Sequence, residues 1–403
     1  MNRCTGAILA ALLLLLGAGA FPAHAITLSG RSSTQALWFA DEFGTDHFDL
    51  SQYLRIQARQ FDNADTISIN GYGRAWMDTE GGGVDGRLYY LYIDKKELLK
   101  KTDVRLGRQF FFVSAGSALV DGARLDTRPF GPLAITLVGG RHVLFDVNGE
   151  ATRSGDSAAA VQVSLTGIPG FSADLSFFAT HDGDDLAREI IGLSASKRFS
   201  KYGELYTQLR YDLLSQIWSE IQVGARTAIV PKLTLNVEYF RTIPVFDATS
   251  IFAVFAVERF QEVMVRAQYD ISPKFSLSGE YRNENYGGDD TANVGELGIR
   301  YRPKDGVSLY GAGILREGTG GNLLGFELSG DMVVLKKFIL SAGVQHDNFR
   351  RELMTSYDSA TRFWVGGEAK LMKNVSATAR IEDTVSQQFN KDVRARMALN
   401  VDF

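Results

Sequence analysis

The chain has 403 residues with 41 Gly, 8 Pro, 26 Phe and 15 Tyr, and a formal net charge of −4. That near balance, with no basic stripe, argues against nucleic acid as a partner. The single cysteine, Cys4, lies in a leader, so the remainder has no disulfide, thiolate metal site or cysteine nucleophile, and no Cys-x-x-Cys-His for covalent haem.

The leader comes first in chain order. Arg3, the apolar run 7–16 and the small-residue site Ala23-His24-Ala25 mark residues 1–25 as a secretory signal peptide, with Ile26 the first mature residue. The run is short for a spanning helix, which needs ~20 residues.

Residues 26–403 then break into alternating segments of about ten residues, the pattern of strands whose two faces meet different surroundings. Leu54, Ile56 and Ala58 alternate with Arg55, Gln57 and Arg59. Leu205, Leu209 and Tyr211 alternate with Glu204, Tyr206, Gln208 and Arg210. Val263, Val265 and Ala267 oppose Glu262, Met264 and Arg266; Phe275, Leu277 and Tyr281 oppose Ser276, Ser278, Glu280 and Arg282. The last segment sets Val393, Ala395, Met397, Leu399, Val401 and Phe403 against Arg394, Arg396, Ala398, Asn400 and Asp402. Charges keep to one parity, where a helix would space them by 3.6 residues.

The connectors alternate as well. Tight turns rich in Pro and Lys, such as Ile168-Pro169-Gly170, Val230-Pro231-Lys232, Ser272-Pro273-Lys274 and Met372-Lys373-Asn374, take every second place. Longer segments, including 78–86, 148–157, 181–185, 285–293 and 348–360, take the others. The expected fold is all-β: one closed antiparallel transmembrane β-barrel over 26–403, of about 22 strands, with short periplasmic turns and no plug. At ~4.8 Å strand spacing and ~40° tilt the backbone diameter is about 45 Å, narrowed to ~30 Å by side chains. The terminal Phe403 resembles the insertion signal of bacterial outer-membrane barrels. That resemblance implies the outer membrane of a Gram-negative bacterium, with its lipid and the barrel-insertion machinery as partners.

One segment departs from the pattern. In Arg105-Leu106-Gly107-Arg108-Gln109-Phe110-Phe111-Phe112, simple alternation puts Arg108 on the lipid face, where a charge costs ~2–4 kcal/mol at midplane. Gly107 is therefore expected to form a bulge that turns Arg108 inward. Arg108 and Arg124, with Arg128 or Arg141, are then expected on one wall beside Asp121 and Asp126, as an eyelet or docking patch. The Leu-Gly-Arg-Gln stretch followed by Asp121-Gly122-Ala123-Arg124 resembles porin strands, and more particularly the barrel subunit of porin–cytochrome electron conduits. That second resemblance implies a multihaem cytochrome in the lumen; haem would come only with such a partner, and the chain itself is expected to bind no cofactor.

The polar face carries both signs. Arg55, Arg59, Arg74, Arg210, Glu238, Arg266, Glu280, Arg282, Glu296, Arg300, Arg380, Glu382, Arg394 and Arg396, together with Arg108 and Arg124, are the expected pore-lining set. Most are expected to pair across strands as a wet wall; a charge filter needs a local excess of one sign at a constriction. His47, His142, His181 and His346 accompany no Gly-x-Ser-x-Gly elbow, so no catalytic residues are assigned. The acidic stretches at Asp184-Asp185 and Asp289-Asp290 lack calcium-loop spacing and read as solvated turns, not metal sites. Two functions suit this architecture. The first is a porin-like channel for small solutes. The alternative is a structural sheath around a cytochrome, attractive because no connector is long enough to fill a ~30 Å hole.

Overall fold

The computed structural model describes residues 26–40, 44–78, 83–98, 100–146, 149–200, 203–228, 230–250, 258–352, 356–387 and 392–403. The leader at 1–25 and the apolar run 251–257 lie outside the described residues.

The strands are β1 (Thr27–Ala40), β2 (Asp46–Arg59), β3 (Ile67–Asp78), β4 (Val84–Leu98), β5 (Thr102–Val113), β6 (Gly116–Phe130), β7 (Leu133–His142) and β8 (Phe145–Asp146). Next come β9 (Gly149–Glu150), β10 (Ser157–Ile168), β11 (Phe171–Asp182), β12 (Asp185–Ser200), β13 (Gly203–Asp212), β14 (Ile217–Thr227), β15 (Leu233–Thr242) and β16 (Phe260–Ser272). The last are β17 (Phe275–Asn285), β18 (Thr291–Tyr301), β19 (Val307–Gly318), β20 (Asn322–Val334), β21 (Phe338–Arg350), β22 (Asp358–Met372), β23 (Val375–Ser386) and β24 (Asp392–Asp402).

All but β8 and β9 form one 22-stranded antiparallel sheet. Each strand pairs with its chain neighbour, β7 pairs with β10 across the small β8–β9 hairpin, and β1 pairs with β24 from Arg31↔Asp402 to Phe39↔Arg394. The sheet therefore closes on itself and leaves no edge strand. At the seam the Gly30 N–H donates to the Phe403 carbonyl at 2.8 Å and the Phe403 N–H donates back at 3.1 Å. Gly30 is required there, because a Cβ would stand 2.2 Å from the Arg55 carbonyl and 2.8 Å from the Phe403 ring.

The alternation read in the sequence gives the wall two faces. Outside, Leu297, Leu328, Val365 and Met397 are more than half exposed. The opposite face carries the charges and the long-range side-chain contacts, and is the lumen. The connectors after β10, β16 and β22 are two-residue turns; the one after β20, Leu335-Lys336-Lys337, places Leu335 and Lys336 at φ 53° and 57°. The segment 181–185, expected as a longer loop, is a tight turn at Gly183–Asp184, because β11 and β12 run on to Asp182 and from Asp185.

One hairpin leaves the wall. β4 pairs with β5 only up to Leu91↔Arg108, while β3 stays paired with β4 up to Val84. Above that level β5 and β6 bend into the barrel as an arm. The bend is at Gly107, whose φ of 123° is open to glycine, and at Gly122, where a Cβ would lie 2.6 Å from the Gly140 Cα. The place the arm vacates beside β4 is approached by Phe145 and Asp146 of the segment that follows β7. There the Arg87 guanidinium donates to the Asp146 carbonyl at 3.3 Å and lies 4.4 Å from the centre of the Phe145 ring.

Candidate functional site

The arm crosses the inner wall from β7 as far as β13. The face of the arm that carries Gln109, Phe111, Val113, Ala118 and Val120 packs on Val138, Ala158, Ala160, Phe178 and Ile190 of the wall. Phe111 and Val120 are fully buried. At the tip, the Ala115 N–H donates to Ser176 Oγ at 2.7 Å, the Ser114 hydroxyl donates to the Gly192 carbonyl at 2.9 Å, and the Ser114 N–H donates to Gln162 Oε1 at 3.1 Å. Arg210 Nε, on β13, donates to the Ser114 carbonyl at 3.0 Å and pairs with Glu220 at 2.8 Å. Gly192 admits this docking: a Cβ there would stand 2.2 Å from the Ala115 nitrogen. The wall contacts are near mid-strand, so the arm sits at mid-height. Its other face turns Phe110 and Phe112, 44% and 72% exposed, toward the open lumen.

Apolar wall residues in the middle of a polar lining explain the arm. Ala158, Ala160, Phe178 and Ile190 have inward parity and would face water without it. Burying each large side chain contributes roughly 1.5–3 kcal/mol. In the sequence the only trace of this is the set of apolar residues at inward positions of β10 to β12, which the fold alone brings against the hairpin.

The structure corrects the placement of Arg108. The register runs without a break through Leu106↔Ala123, Gly107↔Gly122 and Arg108↔Asp121. Arg108 therefore shares a face with Leu106, Leu91, Asp121 and Arg141, opposite to Arg105 and Arg124. Gly107 bends the strand but does not change its parity. The charge is accommodated by pairing instead: Arg108 holds Asp121 through two bonds of 2.7 and 2.8 Å, contacts Glu150 at 3.0 Å and donates to the Leu88 carbonyl at 3.3 Å. It ties the arm to the segment that follows β7. The expected gathering of Arg108 with Arg124 does not occur. Arg124 chelates Asp126 at 2.7 and 2.9 Å, and Thr136 donates to the same carboxylate.

The rest of the expected set lies on the inner face, in two conditions. Many are paired: Arg59 with Asp65, Arg266 and Arg282 with Glu280, Arg380 with Glu382 at 3.2 Å, and Arg394 with Asp392 at 2.9 Å. Glu238 accepts from the Tyr206 hydroxyl at 2.7 Å. Glu296 stands directly opposite Glu280, and Arg396 opposite Arg380. Arg300 lies over the Tyr310 ring. Like Arg300 and Arg396, Arg55, Arg74 and Arg87 have no ion pair among the described residues. The last three face other arginines, Arg31↔Arg55 and Arg74↔Arg87, an arrangement that destabilises unless a counter-charge is near. Asp402 holds Arg31 at 2.6 and 3.0 Å, which leaves Arg55 uncompensated. Arg74 donates to Ser51 Oγ at 3.0 Å and lies 5.4 Å from the Tyr53 ring centre and 4.7 Å from that of Trp76. The Nε atoms of Arg74 and Arg87 are buried without a partner.

These arginines border an aromatic run. Tyr53 and Tyr72 have ring centres 6.3 Å apart, Tyr72 and Tyr89 4.9 Å, Tyr72 and Tyr90 5.7 Å, and Tyr90 and Tyr92 5.5 Å. The extra residue at the register shift beside Tyr72 places two tyrosines of β4 on the same inner ring. A recess of about 880 Å³ opens between them and the seam, lined by Arg31, Tyr53, Arg55, Gln57, Tyr72 and Tyr90 among others. Of the histidines, His47 stacks on Phe39 and His346 Nδ1 lies 2.8 Å from Thr361 Oγ1. Among the described residues, no three His, Asp or Glu side chains converge as a metal site.

No family model matches the chain, and no curated protein matches it in sequence. Its fold is that of outer-membrane barrels. It is similar to a mutant of the ferric enterobactin receptor PfeA of Pseudomonas aeruginosa, with a TM-score of 0.65 and 10% identity over 95% of this chain and 81% of that one. It is also similar to the translocation pore of the P pilus usher PapC, with a TM-score of 0.53 and 10% identity over 93% and 99% of the two chains. OccK2 of P. aeruginosa superposes with a TM-score of 0.49 and 9% identity over 94% and 98%. At such identities the likeness is one of fold.

Proposed function

We propose that the chain is a porin-like channel of a Gram-negative outer membrane, exported by its leader, in which the β5–β6 arm narrows a wide barrel at mid-height. The observation that carries this reading is the arm itself. A hole of ~30 Å is too wide for a selective pore, and the chain supplies its own partial filling, held by Ser176, Gly192 and Arg210. The apolar outer face suits lipid, and the charged inner face suits water. Phe403, seated at the seam, suits recognition by the insertion machinery.

The same arm weakens the case for a cytochrome sheath. It occupies lumen space at mid-height that a multihaem partner would need, and it removes the reason to require one. Planar-bilayer recording of the purified barrel tests the reading. Stepwise ion conductance by the barrel alone is expected. A barrel that does not conduct, and that comes out of native membranes with a haem-staining protein, would overturn it in favour of the sheath.

A further inference from the structure

We propose that the recess beside the seam binds a carboxylate-bearing sugar ring, as a solute site on the inner wall of β1–β4. This rests on the channel reading only for its route, not for its chemistry. Three features converge. The first is charge: Arg31 and Arg55 stand opposite each other, and Asp402 neutralises only Arg31. Arg55 is exposed to the recess with its fork free, and a guanidinium holds a carboxylate through two parallel bonds.

The second is the platform. Tyr53, Tyr72 and Tyr90 present ring faces and edges to the same recess, and the C–H face of a sugar ring packs on such surfaces. The third is the polar lining. Ser29, Ser33, Gln35, Gln57 and Asn400 surround the recess with hydroxyl and amide groups. A purely aromatic acid would leave these groups to water, whereas a polyhydroxylated ring uses them as donors and acceptors. The arginines of β16 and β17 are closed onto Glu280.

Isothermal calorimetry in detergent, with galacturonate and benzoate as probes, tests the site without requiring conduction. Galacturonate is expected to bind and benzoate to bind more weakly. Arg55→Gln is expected to weaken galacturonate by about tenfold, the size of one lost charge-assisted contact. Tyr72→Leu should also weaken it, and Arg300→Gln, on another wall, should not. Heat-modified gel mobility confirms that each variant is a closed barrel. Absence of galacturonate binding, or binding indifferent to Arg55→Gln, overturns the proposal even if the barrel conducts. Tighter binding of benzoate overturns the sugar assignment. Galacturonate binding by a barrel that fails to conduct would leave the site standing and remove the channel reading.

Discussion

The walls built from β1–β7 and from β16–β19 start from the same material and handle it differently. Both set like charges opposite each other, Arg31↔Arg55 and Arg74↔Arg87 in the first, Glu280↔Glu296 in the second. In the second, Glu280 gathers Arg266 and Arg282, and Glu284 pairs with Arg316. The register there is unbroken from β17 to β19, with one shift at the β16–β17 turn. In the first, Arg105, Arg108 and Arg124 are paired but Arg74 and Arg87 rest on aromatic rings without carboxylates, β4 carries a bulge and β5–β6 leaves the sheet. Paired charges cost little and hold a wall upright. Unpaired ones such as Arg55 keep their donors for water or a solute. The difference sets a self-paired stretch of wall against one that keeps free donors within the same sheet.

The most severe way to break the comparison is to remove the closure on which both walls depend. Gly30→Leu should force the Phe403 ring off the seam and sharply reduce the fraction of folded barrel, measured by heat-modified gel mobility. A fully folded yield would show that the seam tolerates a side chain. Next in size is the arm. Gly192→Val should expel the Ser114–Ala115 tip from its seat, exposing Phe111 and Val120 at a cost of roughly 1.5–3 kcal/mol each. Single-channel conductance should rise and thermal stability fall. Unchanged conductance would mean that the arm does not set the pore.

A third variant makes the ordered wall resemble the other. Glu280→Gln leaves Arg266 and Arg282 without their shared carboxylate. Reversal potentials in a salt gradient should move toward anions, with only a modest loss of stability because Arg266 is well exposed to water. A shift toward cations would contradict the assignment of this face to the pore.

These regions also show where sequence sufficed. Period-2 alternation is a property of each strand alone, so the inner face of Arg210, Glu280 or Arg396 could be read residue by residue. The closed sheet followed from alternating connectors. The arm was less legible, because its cause is a contact between β5–β6 and strands as distant as β13, and no local pattern encodes it. Gly107 was legible as an irregularity but its consequence was not. A positive φ can bulge a strand or bend it, and here Leu106 and Arg108 keep one parity while the hairpin turns. Arg87 escaped notice because the bulge near Tyr89 changes parity within β4.

The smallest expected effect lies at the end of the ordered ladder between β2 and β3, in the connector 60–66. Asp62 accepts from the Thr66 hydroxyl, from the Thr66 N–H at 2.7 Å and from Lys95 Nζ at 3.0 Å. Those bonds, the Thr66 hydroxyl foremost, hold its carboxyl down to about 2. A carboxyl that is more acidic in the folded state stabilises the fold when ionised, so its contribution is complete above the ordinary carboxylate range and is lost as pH falls through about 2. Asp62 is half-buried in a surface turn that solvent reaches, so the effect is slight. The gap in melting temperature between the native chain and Asp62→Asn should be constant at neutral pH and close in strong acid. A gap that persists at the acid end would show that the turn is held by shape alone, and that Lys95 anchors β4 without help from the charge on Asp62.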